Sequence, residues 1–180
     1  MPGSGRYSKR EREQRWVLNR LPTGVVDPVE IRDLYLRDTQ LRLRKIESPE
    51  EVIWKLGQKI RLRPESPEIV KMTNVYLDEH EYQVLLKLEG AQLLKTRWHW
   101  TREHRRLSVD VFGGHLEGLV LAEIELDSDE SLLGLPNEAL VDVTRDDRFS
   151  GGALAWLTPG DATRLLDELL NGRQVEGQVG

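Results

Sequence analysis

Apolar and polar residues alternate with a period of two along most of this chain, which is the pattern of β-strands rather than of helices. Leu41 and Leu43, for example, alternate with Arg42 and Arg44. A comparable pattern recurs in eight segments, which we predict to be strands: residues 11–20, 40–46, 51–56, 69–75, 93–100, 107–112, 118–127 and 140–144. Gly113-Gly114 separates two of these segments and predicts a hairpin connection.

Helical spacing is confined to a few segments. Asp78 and Glu81 have the spacing of a capping box, and the apolar positions that follow are Tyr82, Leu85, Leu86 and Leu88. A second helix is predicted to begin at Pro159, since proline is favoured in the first helical position, and its apolar positions are Leu165, Leu166, Leu169 and Leu170. Asp27-Pro28 predicts a short helical turn. Eight or so strands with two or three helices predict an all-β or α+β fold.

The composition fits one domain of ordinary size. The chain has 180 residues and no cysteine, which excludes disulfides, zinc–thiolate sites and thiol nucleophiles. We predict a domain over residues 11–170, with flexible tails at 1–10 and 171–180. The net charge of −5 argues against general nucleic-acid binding. Because no apolar run approaches the roughly 20 residues of a membrane span and no signal peptide is recognisable, we expect a cytoplasmic protein without membrane attachment.

Charged residues on the predicted strands are segregated by sign. Acidic pairs lie on the first strand and on 118–127, and basic pairs on 40–46 and 93–100: Glu11 and Glu13, Glu123 and Glu125, Arg42 and Arg44, Lys95 and Arg97. Such faces lie either outward in water, which is the norm for one strand, or inward in the lumen of a closed barrel. Segregation by sign favours the inward arrangement, since a solvated face usually mixes residue types.

Paired carboxylates and clustered cations together suit a site for metal ions and a polyphosphate. Carboxylate oxygens bind Mg²⁺ or Mn²⁺, and the planar fork of arginine binds phosphate oxygens in pairs. The sequence has no P-loop and no Gly-x-Ser-x-Gly, and its histidines lack the spacing of metal ligands. We therefore predict that phosphate is bound by side chains on strands rather than by a glycine-rich loop.

A series of motifs resembles the CYTH superfamily, the triphosphate tunnel metalloenzymes. Glu11, Glu13 and Arg15 resemble its Glu-x-Glu-x-Lys signature. Further resemblances follow in the same order along residues 11–157: Leu41-Arg42-Leu43-Arg44, the lysine strand 54–59, the segment 73–82 before the helix, Leu94-Lys95-Thr96-Arg97, Val109-Asp110-Val111-Phe112, Gly118-Leu119, Ala122-Glu123-Ile124-Glu125 and the close at 143–154. Glu-x-Glu alone is a weak signal, whereas the ordered set is specific.

The resemblance implies an α+β fold, a closed eight-stranded antiparallel β-barrel (the tunnel) with flanking helices, and chemistry on triphosphates with Mg²⁺ or Mn²⁺. The implied metal ligands are Glu11, Glu13, Glu123 and Glu125, and Glu11, Glu13 and Arg15 are the implied catalytic residues. The implied substrate-binding residues are Arg42, Arg44, Lys55, Lys59, Lys95, Arg97 and Asp110, the last as a group that orients a cation or joins the metal shell. Arg15 replaces the family's lysine, which keeps the positive charge but not a tunable amine.

Several functions are compatible with these residues. Hydrolysis of inorganic triphosphate to diphosphate and phosphate is our first hypothesis, because the chain is short and has no obvious insertion for recognising a base. The alternatives are a class IV adenylate cyclase, a thiamine or nucleotide triphosphatase, and a polyphosphate- or nucleotide-binding module with little catalysis. An ordinary β-domain with charged outer faces is the remaining alternative. We expect a small triphosphate-containing partner and either a monomer or a homodimer.

Overall fold

The computed structural model describes residues 9–61, 69–127 and 130–176, with the backbone alone at 61 and 170–176. Nine strands form one antiparallel sheet: β1 Lys9–Leu18, β2 Val26–Leu36, β3 Leu41–Glu47, β4 Val52–Arg61, β5 Ile69–Leu77, β6 Gly90–Arg102, β7 Arg105–Phe112, β8 Val120–Leu126 and β9 Ala139–Asp142. The helices are α1 Glu79–Leu85, α2 Gly151–Ala155 and α3 Pro159–Glu176. Two 3-10 turns, Gly114–Leu116 and Asp147–Phe149, lie between them.

The sheet closes into a barrel through β1. Neighbouring strands follow the order β5-β4-β3-β2-β6-β7-β8-β1, and β1 pairs with β5 as well as with β8. The first part of β1, from Lys9 to Arg12, forms the β5 ladder, whereas Arg12 to Val17 form the β8 ladder. β9 extends the sheet beside the end of β1. The predicted closed eight-stranded antiparallel barrel is therefore confirmed, and closure leaves its eight strands without a free edge.

Helix α1 covers part of the outer wall. Its capping box is formed as predicted, because the Asp78 side chain accepts from the backbone of Glu81 and the Glu81 side chain accepts from the backbone of Asp78. Tyr82 of α1 packs on the outward residues of β2 and β3. The members of this apolar cluster are Leu34, Leu36, Leu43 and Tyr82, with Leu41, Trp54, Leu56, Leu77 and Leu85 at its margin.

The C-terminal segments close one end of the barrel. We call residues 147–155, the turn before α2 and α2 itself, the plug. Phe149 and Leu154 of the plug pack on apolar residues that lie inside the barrel. The inward residues of this cluster are Val17, Leu93, Phe112 and Leu121, and α3 adds Ala162 and Leu165. The barrel is therefore filled with apolar side chains at this end.

Strand β2 corrects one sequence prediction. Asp27-Pro28 does not begin a helical turn, since both residues belong to a strand from Val26 to Leu36. The register with β6 shifts between Val26 and Val29, and Asp27 has a φ of 53°. The proline thus lies where the ladder is irregular, which is where a strand tolerates a residue without a backbone donor.

The predicted tails are only partly within the described residues. Residues 1–8 and 177–180 lie outside them, whereas Lys9 and Arg10 belong to β1. Helix α3 begins at the predicted proline and continues to Glu176, through most of the predicted C-terminal tail. Among the described residues, no helix has both the length and the apolar character needed to cross a membrane.

Candidate functional site

The barrel encloses a cavity of about 680 Å³. Its wall is formed by the inward faces of the strands, and the plug forms one end through Phe149 and Leu154. Arg106 and Glu125 line the cavity and are exposed, so the other end reaches solvent. The inward faces change from charged to apolar near the plug: Arg15 is followed two residues later by Val17, and Glu123 is preceded by Leu121. The charged part of the lumen is thus a pocket open on one side.

All twelve site residues predicted from the sequence line this cavity. They are Glu11, Glu13, Arg15, Arg42, Arg44, Lys55, Lys59, Lys95, Arg97, Asp110, Glu123 and Glu125. The charged faces of these strands therefore lie inward, and the alternative of charged outer faces does not apply to them. Their placement in one cavity leaves their individual roles as predictions.

Asp110 on β7 holds two cations of β6. Arg97 lies directly opposite it in the register and donates through Nε to Oδ1 at 2.7 Å and through Nη2 to Oδ2 at 2.8 Å. Lys95 donates to Oδ2 as well. Burial by itself raises the pKa of Asp110, but Lys95 and Arg97 hold that pKa well below its usual range. Asp110 is therefore an anion that fixes two cations at the cavity wall.

Asp33 on β2 has the corresponding position beside β3 and was not predicted from the sequence. Arg44, its register partner, donates through Nε to Oδ1 at 2.5 Å and through Nη2 to Oδ2 at 2.6 Å. Arg42 is less tightly held, with Nε 3.8 Å from Oδ1. Burial raises the pKa of Asp33, but the charges of Arg44 and Arg42 lower it to about 2. A second buried carboxylate thus orients the arginines of β3.

The four predicted metal ligands lie on the adjacent strands β1 and β8. Glu13 is the register partner of Glu125, and Glu123 is the partner of Arg15. Burial raises the pKa of Glu11, and the neighbouring charges of Glu125 and Glu13 raise it further. Burial also raises the pKa of Glu123, but Lys59 and Arg97 lower it below its ordinary value. Negative charge is therefore concentrated on this side of the cavity.

These glutamates fit a divalent cation by donor chemistry. Oxygen ligands are what Mg²⁺ and Mn²⁺ take, and a cation would relieve the repulsion that raises the pKa of Glu11. Two of these four glutamates form ion pairs with lysines. Lys59 donates to Oε2 of Glu13 at 2.5 Å, and Lys9 donates to Glu125. Within the described ranges, no three acidic or histidine side chains converge as a formed metal centre. Loading a metal would thus require these lysines to turn away.

Arg15 is oriented toward the plug. Its Nη1 donates to the carbonyl oxygen of Phe149 at 2.9 Å, and its backbone nitrogen donates to Oγ1 of Thr144 at 3.0 Å. Its Nε is buried and finds no hydrogen-bond partner in the part of the chain that the structure describes. The arginine that replaces the family's lysine therefore joins the cavity wall to the element that closes the cavity, which sequence patterns did not predict.

Other cavity residues escaped the sequence analysis. Tyr35 of β2 lies opposite Arg42, and His99 and Arg106 lie on β6 and β7. The available signal for Asp33 and Tyr35 was their two-residue spacing, which places both on one face of a strand. This spacing did not identify them, because residues 26–36 were not predicted to be a strand.

Comparison with known proteins gives structural neighbours. The chain matches no protein-family model and no curated protein. It is similar to the inorganic triphosphatase NE1496, with 26% identity over 83% of this chain and 97% of that chain and a TM-score of 0.59. A second structure of NE1496 gives 25% identity, the same TM-score of 0.59, and coverage of 83% and 99%. The PH1819 protein from Pyrococcus horikoshii OT3 is more distant, at 15% identity, 89% coverage of both chains and a TM-score of 0.49.

Proposed function

Because this chain belongs to the CYTH superfamily of triphosphate tunnel metalloenzymes, we propose that it hydrolyses inorganic triphosphate to diphosphate and phosphate with the help of Mg²⁺ or Mn²⁺. The activity of the similar NE1496 protein, an inorganic triphosphatase, supports this choice among triphosphates. A small triphosphate is accordingly the proposed partner.

The observation that carries the proposal is the sign of charge inside the barrel. The chain as a whole has a net charge of −5. Among the described residues that line the cavity, eight lysines and arginines face five carboxylates: Arg15, Arg42, Arg44, Lys55, Lys59, Lys95, Arg97 and Arg106 against Glu11, Glu13, Asp110, Glu123 and Glu125. A positive pocket in a negative protein favours a highly charged anion.

The proposed phosphate-binding residues are held in place before the substrate arrives. Asp110 fixes Lys95 and Arg97, and Asp33 fixes Arg44. Donors that are already oriented toward the charge of the reacting phosphoryl group stabilise it without reorganisation. The Nε and Nη2 atoms of Arg44 and Arg97 bind the aspartates, and the edge formed by the two Nη atoms of each guanidinium also suits the paired oxygens of a phosphate. These cations would therefore bind the chain of phosphates and stabilise charge that develops at the terminal group.

The glutamates of β1 and β8 supply the proposed metal-binding side. Glu11, Glu13, Glu123 and Glu125 would hold the cation. When bound, Mg²⁺ or Mn²⁺ supplies charge neutralisation on phosphate oxygens and a more acidic water. A glutamate that is not engaged with the cation can accept a proton from the attacking water. The plug, with its apolar contacts, excludes solvent from the closed end of the pocket.

The proposal is tested by phosphate release from inorganic triphosphate in the wild type and in Glu13→Gln. We expect release with Mg²⁺ or Mn²⁺, and a decrease of about 100-fold in the variant, because a positioned group at the reacting phosphate contributes on that scale. Glu117→Gln is the matched control, since Glu117 is exposed outside the cavity, and its rate should equal that of the wild type. Equal rates in the wild type and Glu13→Gln would refute the role of the glutamates.

The substrate is tested by comparing products. Incubation with ATP followed by chromatography separates a cyclase, which yields cyclic AMP and diphosphate, from a nucleotide triphosphatase, which yields ADP and phosphate. Thiamine triphosphate serves as a third substrate. We expect the largest kcat/KM for inorganic triphosphate, and a larger value for any of the others would reassign the substrate.

A triphosphate-binding module with little turnover is the second candidate. The observation that favours it is the ion pair between Lys59 and Glu13, because it occupies a carboxylate that the metal would need. Calorimetric titration with inorganic triphosphate distinguishes the two. Tight binding without phosphate release under either metal supports the module, whereas release supports the hydrolase.

A further inference from the structure

Arg42 is the least restrained of the arginines on the basic strands. Arg44 and Arg97 each make two short hydrogen bonds to a buried aspartate. The Nε of Arg42 is buried, has no hydrogen-bond partner among the described residues, and lies 3.8 Å from Oδ1 of Asp33. An arginine side chain has many rotamers, and fixing it only when the anion binds costs conformational entropy, which weakens binding. Arg42 therefore needs another contact that holds its guanidinium in one place beforehand.

Tyr35 supplies that contact. It is the register partner of Arg42 on the neighbouring strand, and both side chains line the cavity. Burial lowers the pKa of Arg42, but Asp33 and the adjacent Tyr35 hydroxyl raise it above its ordinary value. On the other neighbouring strand, Gly57 borders the guanidinium, since a Cβ there would lie at an ordinary contact distance of 3.7 Å from Nη2 of Arg42. The guanidinium is thus placed between a tyrosine hydroxyl and a residue without a side chain.

The plug in turn fixes Tyr35. A Cβ added at Gly151, the first residue of α2, would lie 2.1 Å from the Tyr35 hydroxyl oxygen and 3.1 Å from Cζ. The backbone of α2 therefore packs directly on the end of the phenol ring, at a distance that a side chain does not allow. A Cβ at the next residue, Gly152, would lie 3.7 Å from the ring, which is ordinary contact.

We propose that Tyr35 is a positioning residue. The plug packs on its hydroxyl and fixes it, Tyr35 in turn orients the Arg42 guanidinium, and this sets the geometry of phosphate binding in the closed end of the cavity. The inference deepens the proposed function and rests on it, because it takes Arg42 to bind a phosphate oxygen. The plug acts here on the site through two arginines, since it also accepts the hydrogen bond from Arg15.

Four variants test the inference: Tyr35→Phe, Gly151→Ala, the double variant and Gly152→Ala. The readouts are the dissociation constant for inorganic triphosphate by calorimetry, KM and kcat for phosphate release, and the urea midpoint. Tyr35→Phe keeps the ring and removes the hydroxyl, and with it both the contact with Arg42 and the packing of α2 on the hydroxyl oxygen. We therefore expect about a fivefold to tenfold weaker affinity and a higher KM, with kcat nearly unchanged and only a small shift of the urea midpoint.

The glycines give a matched pair. Gly151→Ala should weaken triphosphate affinity at least as much as Tyr35→Phe, because its Cβ displaces the hydroxyl, whereas Gly152→Ala should stay within about twofold of the wild type. The double variant lacks the nearest colliding atom, so its affinity should be close to that of Tyr35→Phe alone rather than the product of both effects.

Three results would overturn the inference: wild-type affinity in Tyr35→Phe, equal effects of the two glycine substitutions, or full additivity in the double variant. The proposed function fails separately. If the wild type binds inorganic triphosphate without releasing phosphate, the hydrolase proposal is wrong, and the same titrations still decide the role of Tyr35. If the wild type does not bind it, both are wrong.

Discussion

Two buried aspartates, Asp110 on β7 and Asp33 on β2, each bind cations of a neighbouring strand, but they differ in the number of cations bonded to them. Asp110 is bonded to both Lys95 and Arg97. Within the described residues, the Asp33 side chain accepts hydrogen bonds from Arg44 alone, and Nε of Arg42 stays 3.8 Å from Oδ1. Each carboxylate is buried and paired, so the burial of its charge is compensated by cations that face the cavity.

The difference shows that the number of cations a buried carboxylate orients depends on how their donor atoms reach its two oxygens. The bidentate fork of Arg44 occupies both oxygens of Asp33, which leaves Arg42 to other contacts. At Asp110 the lysine amine shares Oδ2 with the fork of Arg97. We therefore expect the Asp110 cluster to depend on its carboxylate more than the Asp33 cluster does.

Removing the charge of Asp110 is expected to have the largest effect. Asp110→Asn leaves Lys95 and Arg97 buried beside each other without their bonded anion, and the remaining carboxylate, Glu123, is 4.0 Å from Nη2 of Arg97. We expect a loss of about 4–5 kcal/mol in the free energy of unfolding, at the upper end for a broken buried ion pair. Urea unfolding measures it, with Asp38→Asn as control, because Asp38 is exposed in a turn with a φ of 56° that asparagine tolerates. A loss below about 1 kcal/mol would contradict the cluster's dependence on charge.

The same substitution at Asp33 should have a smaller effect. Asp33→Asn removes one bidentate partner, that of Arg44, so we expect a loss of about 3 kcal/mol. Because Arg42 is not directly bonded to the carboxylate, its contribution to triphosphate binding should persist in part. Urea unfolding and calorimetry on both asparagine variants give the comparison directly. If Asp33→Asn destabilises more than Asp110→Asn, the ranking of the two clusters is wrong.

The sequence predicted the Asp110 side of the molecule well. Lys95 and Arg97 alternate with Leu94, Thr96 and Trp98 on β6, so their shared face was visible in the sequence, whereas Asp110 was implied by the family resemblance. A shared face was visible for Arg42 and Arg44 on β3 as well. The closed eight-stranded barrel was implied by the resemblance, since alternation left both the inward and the outward arrangement open and segregation by sign only favoured the inward one.

The Asp33 side could not be predicted in the same way. On β2 the inward residues Ile31 and Asp33 are buried, and so are Leu34 and Leu36 on the outer face beneath α1. A strand buried on both faces loses the alternation on which strand prediction depends. The plug was missed for a related reason, since α2 has only five residues and its contacts with Arg15 and Tyr35 are made by backbone atoms and glycines.

Lys95, which is bonded to Asp110, and Lys55, which is the register partner of Arg44, should make both stability and affinity depend on pH. Burial lowers the pKa of Lys95 to about 8, and burial together with Arg44 and Arg42 lowers that of Lys55 to about 8, whereas the ordinary value is 10.5. Between these values the unfolded chain binds more protons than the folded one, so the free energy of unfolding without ligand should rise with pH from about 8 to 10. Triphosphate affinity should fall about tenfold over the same range, because both amines lose their charge.

Lys95→Arg and Lys55→Arg are the matched variants for this experiment. A guanidinium stays charged throughout the range, so each variant should retain part of the affinity at high pH. If Lys95→Arg retains more triphosphate affinity at high pH, the loss of affinity in the wild type comes mainly from the lysine bonded to Asp110. If Lys55→Arg retains more, the loss comes mainly from the lysine beside Arg44. If affinity in the wild type is constant from pH 7 to 10, neither lysine contributes charge to binding.

The smallest effect is expected at Arg15, a cation that belongs to neither aspartate. A neutral carbonyl, that of Phe149, accepts its hydrogen bond, and the family's residue at this position is lysine. Arg15→Lys keeps the charge in the cavity but gives up the Nη1 bond to the plug, so we expect a loss of about 1 kcal/mol in the free energy of unfolding and less than about a threefold change in KM for inorganic triphosphate. Urea unfolding and phosphate-release kinetics measure the two. A change in KM as large as that of Asp33→Asn would mean that a backbone carbonyl orients a phosphate-binding cation as effectively as a buried carboxylate does.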